Sequence, residues 1–236
     1  GRKCGTLGDI GCFSFQESKH IPSGEGGAIT SMSEALIDKC NSFHNCGRAA
    51  GTNQGKGSFT RGLNFRMTQA QAVILMQQFE KLQKETEVRR ASADYLSANL
   101  KQIPGITPVR LPENSRAVWH LYSFRYDARE FNGLLRDKFM DALTAEGVPC
   151  SSVYHEQYND GLLDEAIASR SYQRLWSAER LKAYRDSFND LKGNKQVCDT
   201  TVAMTQNMLL ADRGGIDHII EAVRKIHTHS AALAKA

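Results

Sequence analysis

Apolar residues form two short runs near the start of the chain, and a glycine-rich stretch separates them. Pro22 and the glycines at 24, 26 and 27 impose a turn between the runs. The second run, over 28–31, is placed to pair beside the first. The pattern predicts two adjacent strands, the first of them buried. The buried residues of that first strand are predicted to be Ile10, Cys12, Phe13 and Phe15.

A helix is predicted next, from a serine cap at Ser31 or Ser33 to a stop near Gly47. Its apolar face comprises Leu36, Ile37, Cys40 and Phe43. The polar, glycine-rich segment 47–62 that follows is of the kind that moves or carries binding groups. It leads directly into Asn64.

A much longer helix is predicted after this loop. Thr68 and Gln71 form a capping-box pattern, and neither glycine nor proline interrupts the helical periodicity up to Gln102. A helix of about 30 residues spans about 45 Å, which is enough to run from one domain into the next. Pro104-Gly105 then marks the boundary, so the predicted domains are 1–102 and 103–236.

The second predicted domain is smaller and of the α+β type. Its expected elements are a strand over 118–126, a helix over 131–145, a strand over 148–154, one or two helices within 160–191, an apolar segment over 202–210 and a closing helix over 216–228. The buried face of the 160–191 region is predicted to comprise Tyr172, Leu175, Trp176, Leu181 and Tyr184.

Composition narrows the class of protein. The chain has 236 residues, and an apolar content of 41% is ample for a core. Its net charge of +4 comes without a long basic block, which argues against binding to nucleic acid or to a membrane surface. No apolar run reaches the roughly 20 residues of a membrane helix, and no signal-peptide pattern opens the chain. We therefore expect a cytoplasmic globular protein.

The six cysteines are spread along the chain without a Cys-x-x-Cys pair, and we interpret them as reduced thiols. No metal site is expected. His44-x-Cys46 and His227-x-His229 each lack the second pair of a structural zinc site. His155-Glu156 lacks the second histidine of a zinc-protease helix.

Lys19 is the first candidate for chemistry, because it lies at a strand end just before the glycine-rich turn. A lysine amine in apolar surroundings loses its proton and becomes a nucleophile. The alternative is an ordinary lysine that reaches water from the end of a strand. The turn at 24–27 matches neither a phosphate loop nor the dinucleotide fingerprint, so it names no ligand.

Two blocks of sequence resemble a known family. The first reads Gly8-Asp9-Ile10-Gly11-Cys12-Phe13-Ser14-Phe15, then Ser18-Lys19, then Ser23-Gly24-Glu25-Gly26-Gly27-Ala28-Ile29. The second reads Gly62-Leu63-Asn64-Phe65-Arg66-Met67-Thr68, followed by Gln71-Ala72. Both resemble the DegT/DnrJ/EryC1/StrS family of sugar aminotransferases. A weaker resemblance continues through Trp119-His120-Leu121-Tyr122, Glu146-Gly147-Val148 and the C-terminal helix.

The resemblance implies an α/β fold of the aspartate-aminotransferase type, which is fold type I of the pyridoxal phosphate enzymes. Residues 1–102 would be the C-terminal part of the large cofactor-binding domain. Lys19 would bind pyridoxal 5′-phosphate covalently and, once released, shuttle a proton. The family residues that match Ser14 and Asn64 bind the cofactor phosphate, the asparagine from a neighbouring subunit, which implies a homodimer. Without the resemblance, Ser14 would be a satisfied strand hydroxyl and Asn64 a turn residue.

The implied reaction moves an amino group from glutamate or glutamine to a nucleotide-linked keto-sugar or a keto-cyclitol. Such reactions belong to polysaccharide, cell-surface or secondary-metabolite biosynthesis. The dehydratase branch of the family carries histidine at the lysine position, so Lys19 favours transamination. Two segments depart from the family pattern, Asn45-Cys46-Gly47 and Tyr154-His155-Glu156, and the exact substrate is left open.

In the family, the position that matches Gly1 lies well inside the large domain. We therefore expect this chain to be the C-terminal part of a longer enzyme, with the aspartate that pairs with the pyridinium nitrogen lying upstream. On that expectation the chain alone retains cofactor feebly or not at all and is inactive. The alternative hypothesis is a truncated or regulatory relative that keeps the fold without catalysis.

Overall fold

A computed structural model describes residues 1–55 and 57–235. Its contacts divide the chain into two compact units. The first unit comprises Gly1–Val88 and Pro112–His120, and the second comprises Arg89–Leu111 and Leu121–Ala236. The domain division at 102/103 stays a prediction. No helix in the described part of the chain combines the length and apolar character needed to cross a membrane.

The first unit opens with a β-hairpin. Strand β1 (Gly11–Ser14) pairs antiparallel with β2 (Gly27–Thr30), and Ser14 lies opposite Gly27. The predicted pairing of the two apolar runs is therefore confirmed. A Cβ atom at Gly27 would lie 2.7 Å from the carbonyl oxygen of Phe13, so glycine allows the two backbones to approach.

The prediction that the first strand is buried is wrong. Phe15 is buried, but Phe13 is 44% exposed and Ile10 is 41% exposed, and Cys12 is exposed as well. A two-stranded ribbon buries side chains only where another element covers one of its faces. Among the described residues no third strand pairs with this hairpin. The apolar run specified a strand, whereas burial depends on neighbours that a local pattern does not identify.

One helix and the N-terminal part of a second belong to the first unit, and both helices were predicted. Helix α1 (Glu34–His44) starts after Ser33, whose side chain accepts a hydrogen bond from the backbone N–H of Leu36. A short 3-10 turn (Gly51–Asn53) follows in the loop. Helix α2 (Gln69–Leu100) comes after the loop and is the predicted long helix.

The capping box of α2 is formed as expected. The Thr68 N–H donates to Gln71 Oε1 at 3.0 Å, and the Gln71 N–H donates to the Thr68 hydroxyl at 3.3 Å. The buried residues of α2 all lie in its C-terminal part, which belongs to the second unit; they are Arg89, Ala93, Leu96 and Leu100. Several apolar side chains of the N-terminal part are exposed, among them Phe79 at 64%. Periodicity predicted the helix without indicating which turns are covered.

The second unit contains a three-stranded antiparallel sheet. Its order is β3 (Ile106–Pro108), β4 (Leu121–Tyr126) and β5 (Thr201–Thr205). Alternate residues of β4 are buried, as expected for a sheet with one covered face; they are Tyr122, Phe124 and Tyr126. Helices α3 (Arg136–Ala145) and α8 (Arg213–Leu233) pack against each other, and their apolar residues contribute to the same core.

Three predicted boundaries in the second unit need correction. The strand predicted from 118 begins at Leu121, because Trp119 has a positive φ of 57° that interrupts the extended backbone. The helix predicted from 131 begins at Arg136, after the left-handed residues Asn132 and Gly133 have ended a 3-10 turn. The segment 148–154 forms a single bridge, Ser151 to Ala203, and not a strand. Pro149 has no N–H to donate to a ladder.

The region 160–191 folds into more and shorter helices than predicted. These are α4 (Leu162–Ala168), α5 (Arg170–Leu175) and α6 (Ala178–Asp186), and α7 (Lys192–Thr200) follows them. Of the five residues predicted to be buried there, Leu181 alone is buried. The aromatic side chains of this region pack on neighbours near the surface, as where Arg180 lies 4.1 Å over the ring of Trp176.

Candidate functional site

Lys19 lies in a tight turn that follows β1. Its backbone N–H donates to the Gln16 carbonyl at 2.9 Å. The Phe15 N–H donates to Gly26 O at 2.9 Å, and the Ser23 N–H donates to Phe15 O at 2.8 Å. These bonds close the turn against the glycine-rich return and leave the Lys19 side chain half-buried.

The glycine-rich return is in turn fixed to the start of α2. The Gln71 side-chain amide donates to the Glu25 carbonyl at 3.0 Å. Gly26 has a φ of +137°, and a Cβ atom there would lie 2.9 Å from the methyl carbon of Met67. Contacts between the segments 23–29 and 62–72 therefore hold in place the glycine-rich return that flanks the Lys19 turn.

The amine of Lys19 contacts His120, a residue that the sequence analysis did not single out. Lys19 Nζ lies 3.3 Å from His120 Nε2, and both residues belong to the first unit. An ammonium group has only donors, so Lys19 donates and His120 Nε2 accepts. The hydrogen of a neutral His120 must then be on Nδ1. That atom is buried, and among the described residues it has no hydrogen-bond partner.

A second histidine supports this arrangement. His20 Nε2 lies 2.8 Å from the carbonyl oxygen of Val118, and the rings of His20 and His120 are 6.0 Å apart between centroids. Trp119, which precedes His120 in the chain, is buried and lies in the left-handed region that bulky residues disfavour. Strained backbone of this kind clusters at functional sites, where the surrounding structure holds it.

The protonation state of His120 follows from its surroundings. Burial lowers the pKa of His120 below its ordinary value, and the positive charge of Lys19 lowers it further. The imidazole is therefore neutral near pH 7. A neutral ring with a free lone pair on Nε2 is the form that can accept a hydrogen bond from the lysine amine.

Ser14 is exposed at the end of β1, five residues before Lys19. Its hydroxyl oxygen accepts a hydrogen bond from the Gln16 N–H at 3.3 Å. Among the described contacts the hydroxyl hydrogen is not engaged. Ser14 can therefore donate to an anion.

Asn64 is also exposed, on a segment held by the end of α1. It forms an isolated bridge with Asn45, and the following Phe65 N–H donates to His44 O at 2.9 Å. The Asn64 side-chain oxygen accepts from the Arg66 N–H at 3.3 Å. Its amide hydrogens have no partner within residues 1–55 and 57–235, so Asn64 is a second donor able to bind an anion.

The structure thus joins Lys19 to His120, but no hydrogen bond in the described chain joins Lys19 to Ser14 or Asn64. The sequence offers one signal for His120: it is a titratable residue directly before a strand with alternating burial, in a stretch that resembles the family only weakly.

In the part of the chain that the structure describes, no group of three or more His, Cys, Asp and Glu residues is placed to hold a metal ion.

The loop that leads to Asn64 is anchored by a buried carboxylate. Asp38 in α1 is only 3% exposed. It accepts hydrogen bonds from the Thr52 N–H at 3.1 Å, from the Thr52 hydroxyl and from the Asn53 amide at 3.3 Å. Gly51 lies against the same carboxylate with a φ of +57°, so a Cβ atom there would fall inside contact distance of Asp38 Oδ1.

Gly51→Ala is expected to destabilise the chain more than Gly55→Ala does. Both glycines have positive φ, so each alanine should cost about 1–2 kcal/mol of backbone strain. Only at Gly51 does the added methyl group meet the Asp38 carboxylate, whereas Gly55 faces open space. At Gly51, overpacking should lower the free energy of unfolding by about 1–3 kcal/mol more, which urea unfolding can measure. Equal losses for the two variants would contradict this account of the anchor.

Comparison with known proteins places this site in a family. A protein of Streptoalloteichus tenebrarius, provisionally named L-glutamine:3-amino-2,3-dideoxy-scyllo-inosose aminotransferase, is 31% identical over 249 residues, covering 99% of this chain and 56% of the relative. The L-glutamine:2-deoxy-scyllo-inosose aminotransferase of the same organism is 28% identical over 243 residues, with shares of 99% and 56%. The chain thus spans about half the length of the curated relatives it matches.

A solved structure agrees with the sequence comparison. The crystal structure of 3-amino-5-hydroxybenzoic acid synthase has a TM-score of 0.73 to this chain at 21% identity, covering 97% of this chain and 56% of that one. This similarity confirms the α/β, aspartate-aminotransferase-like fold class predicted from the sequence. The match to the family model extends over residues 1–182, which include the Lys19 turn and Asn64. The chain therefore belongs to the DegT/DnrJ/EryC1/StrS aminotransferase family.

Proposed function

We propose that this protein is a pyridoxal phosphate-dependent aminotransferase in which Lys19 is the reacting amine. The observation that carries the proposal is the placement of the Lys19 amine: it sits in the turn after β1, within the family's lysine block, and donates to His120 Nε2 at 3.3 Å. The acceptor holds the amine at one point of that turn. An ordinary surface lysine would have no such fixed position.

The residues present fit pyridoxal phosphate. Lys19 supplies a primary amine, which can form a carbon–nitrogen double bond with an aldehyde. Ser14 and Asn64 are exposed and retain unused donor hydrogens, which suit a phosphate group. When bound, the cofactor supplies an electron sink for the substrate carbon. We assign Ser14 to the phosphate of the same subunit and Asn64 to that of a neighbouring subunit, so the proposed enzyme is a homodimer.

Lys19 has two tasks in this proposal. It would hold the cofactor through its amine between turnovers, and its free amine would move a proton at the substrate carbon. Both tasks require an amine that can give up its proton, which lysine has and arginine lacks. The same side chain therefore needs a fixed position both when bonded and when free.

The proposed substrates are glutamate or glutamine as amino donor and a keto-cyclitol or nucleotide-linked keto-sugar as acceptor. Two relatives are named as glutamine-dependent aminotransferases of inososes, and a Vibrio cholerae relative is named GDP-perosamine synthase, which supports both acceptor classes. The reaction would serve secondary-metabolite, cell-surface or polysaccharide biosynthesis. A cytoplasmic location stays a prediction.

Covalent labelling tests this proposal. The chain is saturated with pyridoxal phosphate, reduced with borohydride and mapped by mass spectrometry. We expect the pyridoxyl adduct to form preferentially at Lys19, and Ser14→Ala to lower its occupancy at a given cofactor concentration because one phosphate donor is lost. Lys39, exposed on α1, is the internal control for surface labelling.

Even labelling of the surface lysines, with no preference for Lys19, would contradict the proposal. Strong visible absorbance of a lysine-bound cofactor on the unreduced chain would contradict the separate expectation that the chain alone retains cofactor feebly. A Lys19 adduct without any amino transfer by the complete enzyme would instead favour the non-catalytic relative.

A further inference from the structure

We infer that His120 is a positioning residue for Lys19: its neutral imidazole accepts a hydrogen bond from the free amine and holds that amine at the Lys19 turn. The inference rests on the proposed function, in which Lys19 is the reacting amine. It adds His120 to the site, a residue 101 positions from Lys19 that the sequence around Lys19 does not indicate.

The geometry around the amine supports a positioning role for His120. Lys19 Nζ and His120 Nε2 are 3.3 Å apart, a distance at which a positively charged donor and a neutral acceptor attract. The residue before His120 is held by its own contacts: Trp119 is buried with a φ of 57°, and the carbonyl of Val118 accepts from His20 Nε2 at 2.8 Å. The backbone that carries His120, the hydrogen-bond acceptor, is therefore held in a fixed position.

His120 is suited to position the amine and not to take its proton. An imidazolium is ordinarily a stronger acid than a lysine ammonium by about four pKa units. Burial and the Lys19 charge lower the pKa of His120 further, so transfer of the Lys19 proton to His120 is unfavourable. The ring acts as an acceptor that orients the amine, and the proton leaves Lys19 by another route.

The other nitrogen of the ring, Nδ1, is consistent with this role. With Nε2 accepting, Nδ1 carries the hydrogen, and this buried atom has no partner among the described residues. No described group therefore donates a hydrogen bond to Nδ1, which would favour the tautomer with its hydrogen on Nε2. Among the described residues, Lys19 and His20 are titratable groups that lie against the His120 ring.

The first experiment reads the contact without any cofactor. Imidazole ¹⁵N and ¹H NMR of the full chain follows the titration of each histidine in the parent protein and in Lys19→Met. Because the Lys19 charge lowers the pKa of His120, its removal should raise that pKa. An unchanged His120 titration in Lys19→Met would overturn the inference.

The second experiment asks whether the acceptor matters for the amine. His120→Phe keeps a ring and removes the acceptor, whereas His120→Gln retains an acceptor oxygen. The rate of borohydride-trapped adduct formation at Lys19 should fall roughly 3- to 10-fold in His120→Phe, the value of one hydrogen bond, and recover in His120→Gln. Equal rates in both variants, with urea midpoints unchanged, would overturn the inference.

The two proposals can fail separately. If labelling spreads over surface lysines while Lys19→Met still raises the pKa of His120, the contact is real and the proposed function fails. If Lys19 is labelled but neither His120 experiment shows an effect, the proposed function stands and the positioning role fails.

Discussion

Lys19→Arg is expected to abolish amino transfer in the proposed aminotransferase. The guanidinium group stays protonated, so it neither forms a carbon–nitrogen double bond with an aldehyde nor accepts a proton from a substrate carbon. Loss of general acid–base catalysis alone lowers rates by about a hundred- to ten-thousand-fold, and the covalent step is lost as well. We therefore expect at least about a thousand-fold loss, with positive charge retained at position 19.

The measurement is transfer of ¹⁵N from labelled glutamine or glutamate to a keto-cyclitol or keto-sugar acceptor by the complete enzyme, read by mass spectrometry. Lys39→Arg is the matched control, since Lys39 lies exposed on α1 of the same unit. Its rate should equal that of the parent protein. Transfer by Lys19→Arg above about a tenth of the parent rate would remove Lys19 from the chemistry, because the general acid–base contribution alone is larger than tenfold.

The local elements of the fold were predictable because short-range chemistry specifies them. The capping box at Thr68 and Gln71 and the uninterrupted stretch to Leu100 predicted α2 within a few residues at each end. The glycines between the two apolar runs predicted the β1–β2 pairing. In each case residues within a few positions of one another carry both the signal and the interaction.

Burial was less predictable, because it depends on which distant element covers a face. Phe13 in β1 and Tyr184 in α6 are apolar and well placed for a core, and both are exposed. Single residues also moved element boundaries. The positive φ of Trp119 delays β4, and the left-handed Asn132 delays α3, although neither is a glycine.

The candidate site shows the same division. Lys19 could be proposed from its place between a strand and a glycine-rich turn, and its role from the family resemblance. His120 could not, because the contact joins positions 101 residues apart and a lone histidine has no local signature. Asn64 was proposed from the family motif alone, and the structure adds that the end of α1 and the Asp38 anchor hold its loop.

The core of the second unit depends on an aromatic cluster centred on Phe139 of α3. Its ring is fully buried and lies 4.5 Å from Tyr126, 5.4 Å from Phe131 and 6.4 Å from Phe124 between centroids. The contacts with Phe131 and Phe124 are edge-to-face, the arrangement that aromatic quadrupoles favour. Removing this one ring therefore takes away contacts with both the sheet and the turn before α3.

Phe139→Ala should consequently lower the free energy of unfolding by about 3–5 kcal/mol, since it combines lost burial with the cavity that the missing ring leaves. Urea unfolding followed by far-UV circular dichroism measures the change. The matched control is Phe79→Ala on α2, where the ring is 64% exposed and the expected change is within about 0.5 kcal/mol. A loss below about 1 kcal/mol for Phe139→Ala would mean that the cluster repacks around the gap, because unrelaxed cavities of this size cost several times more.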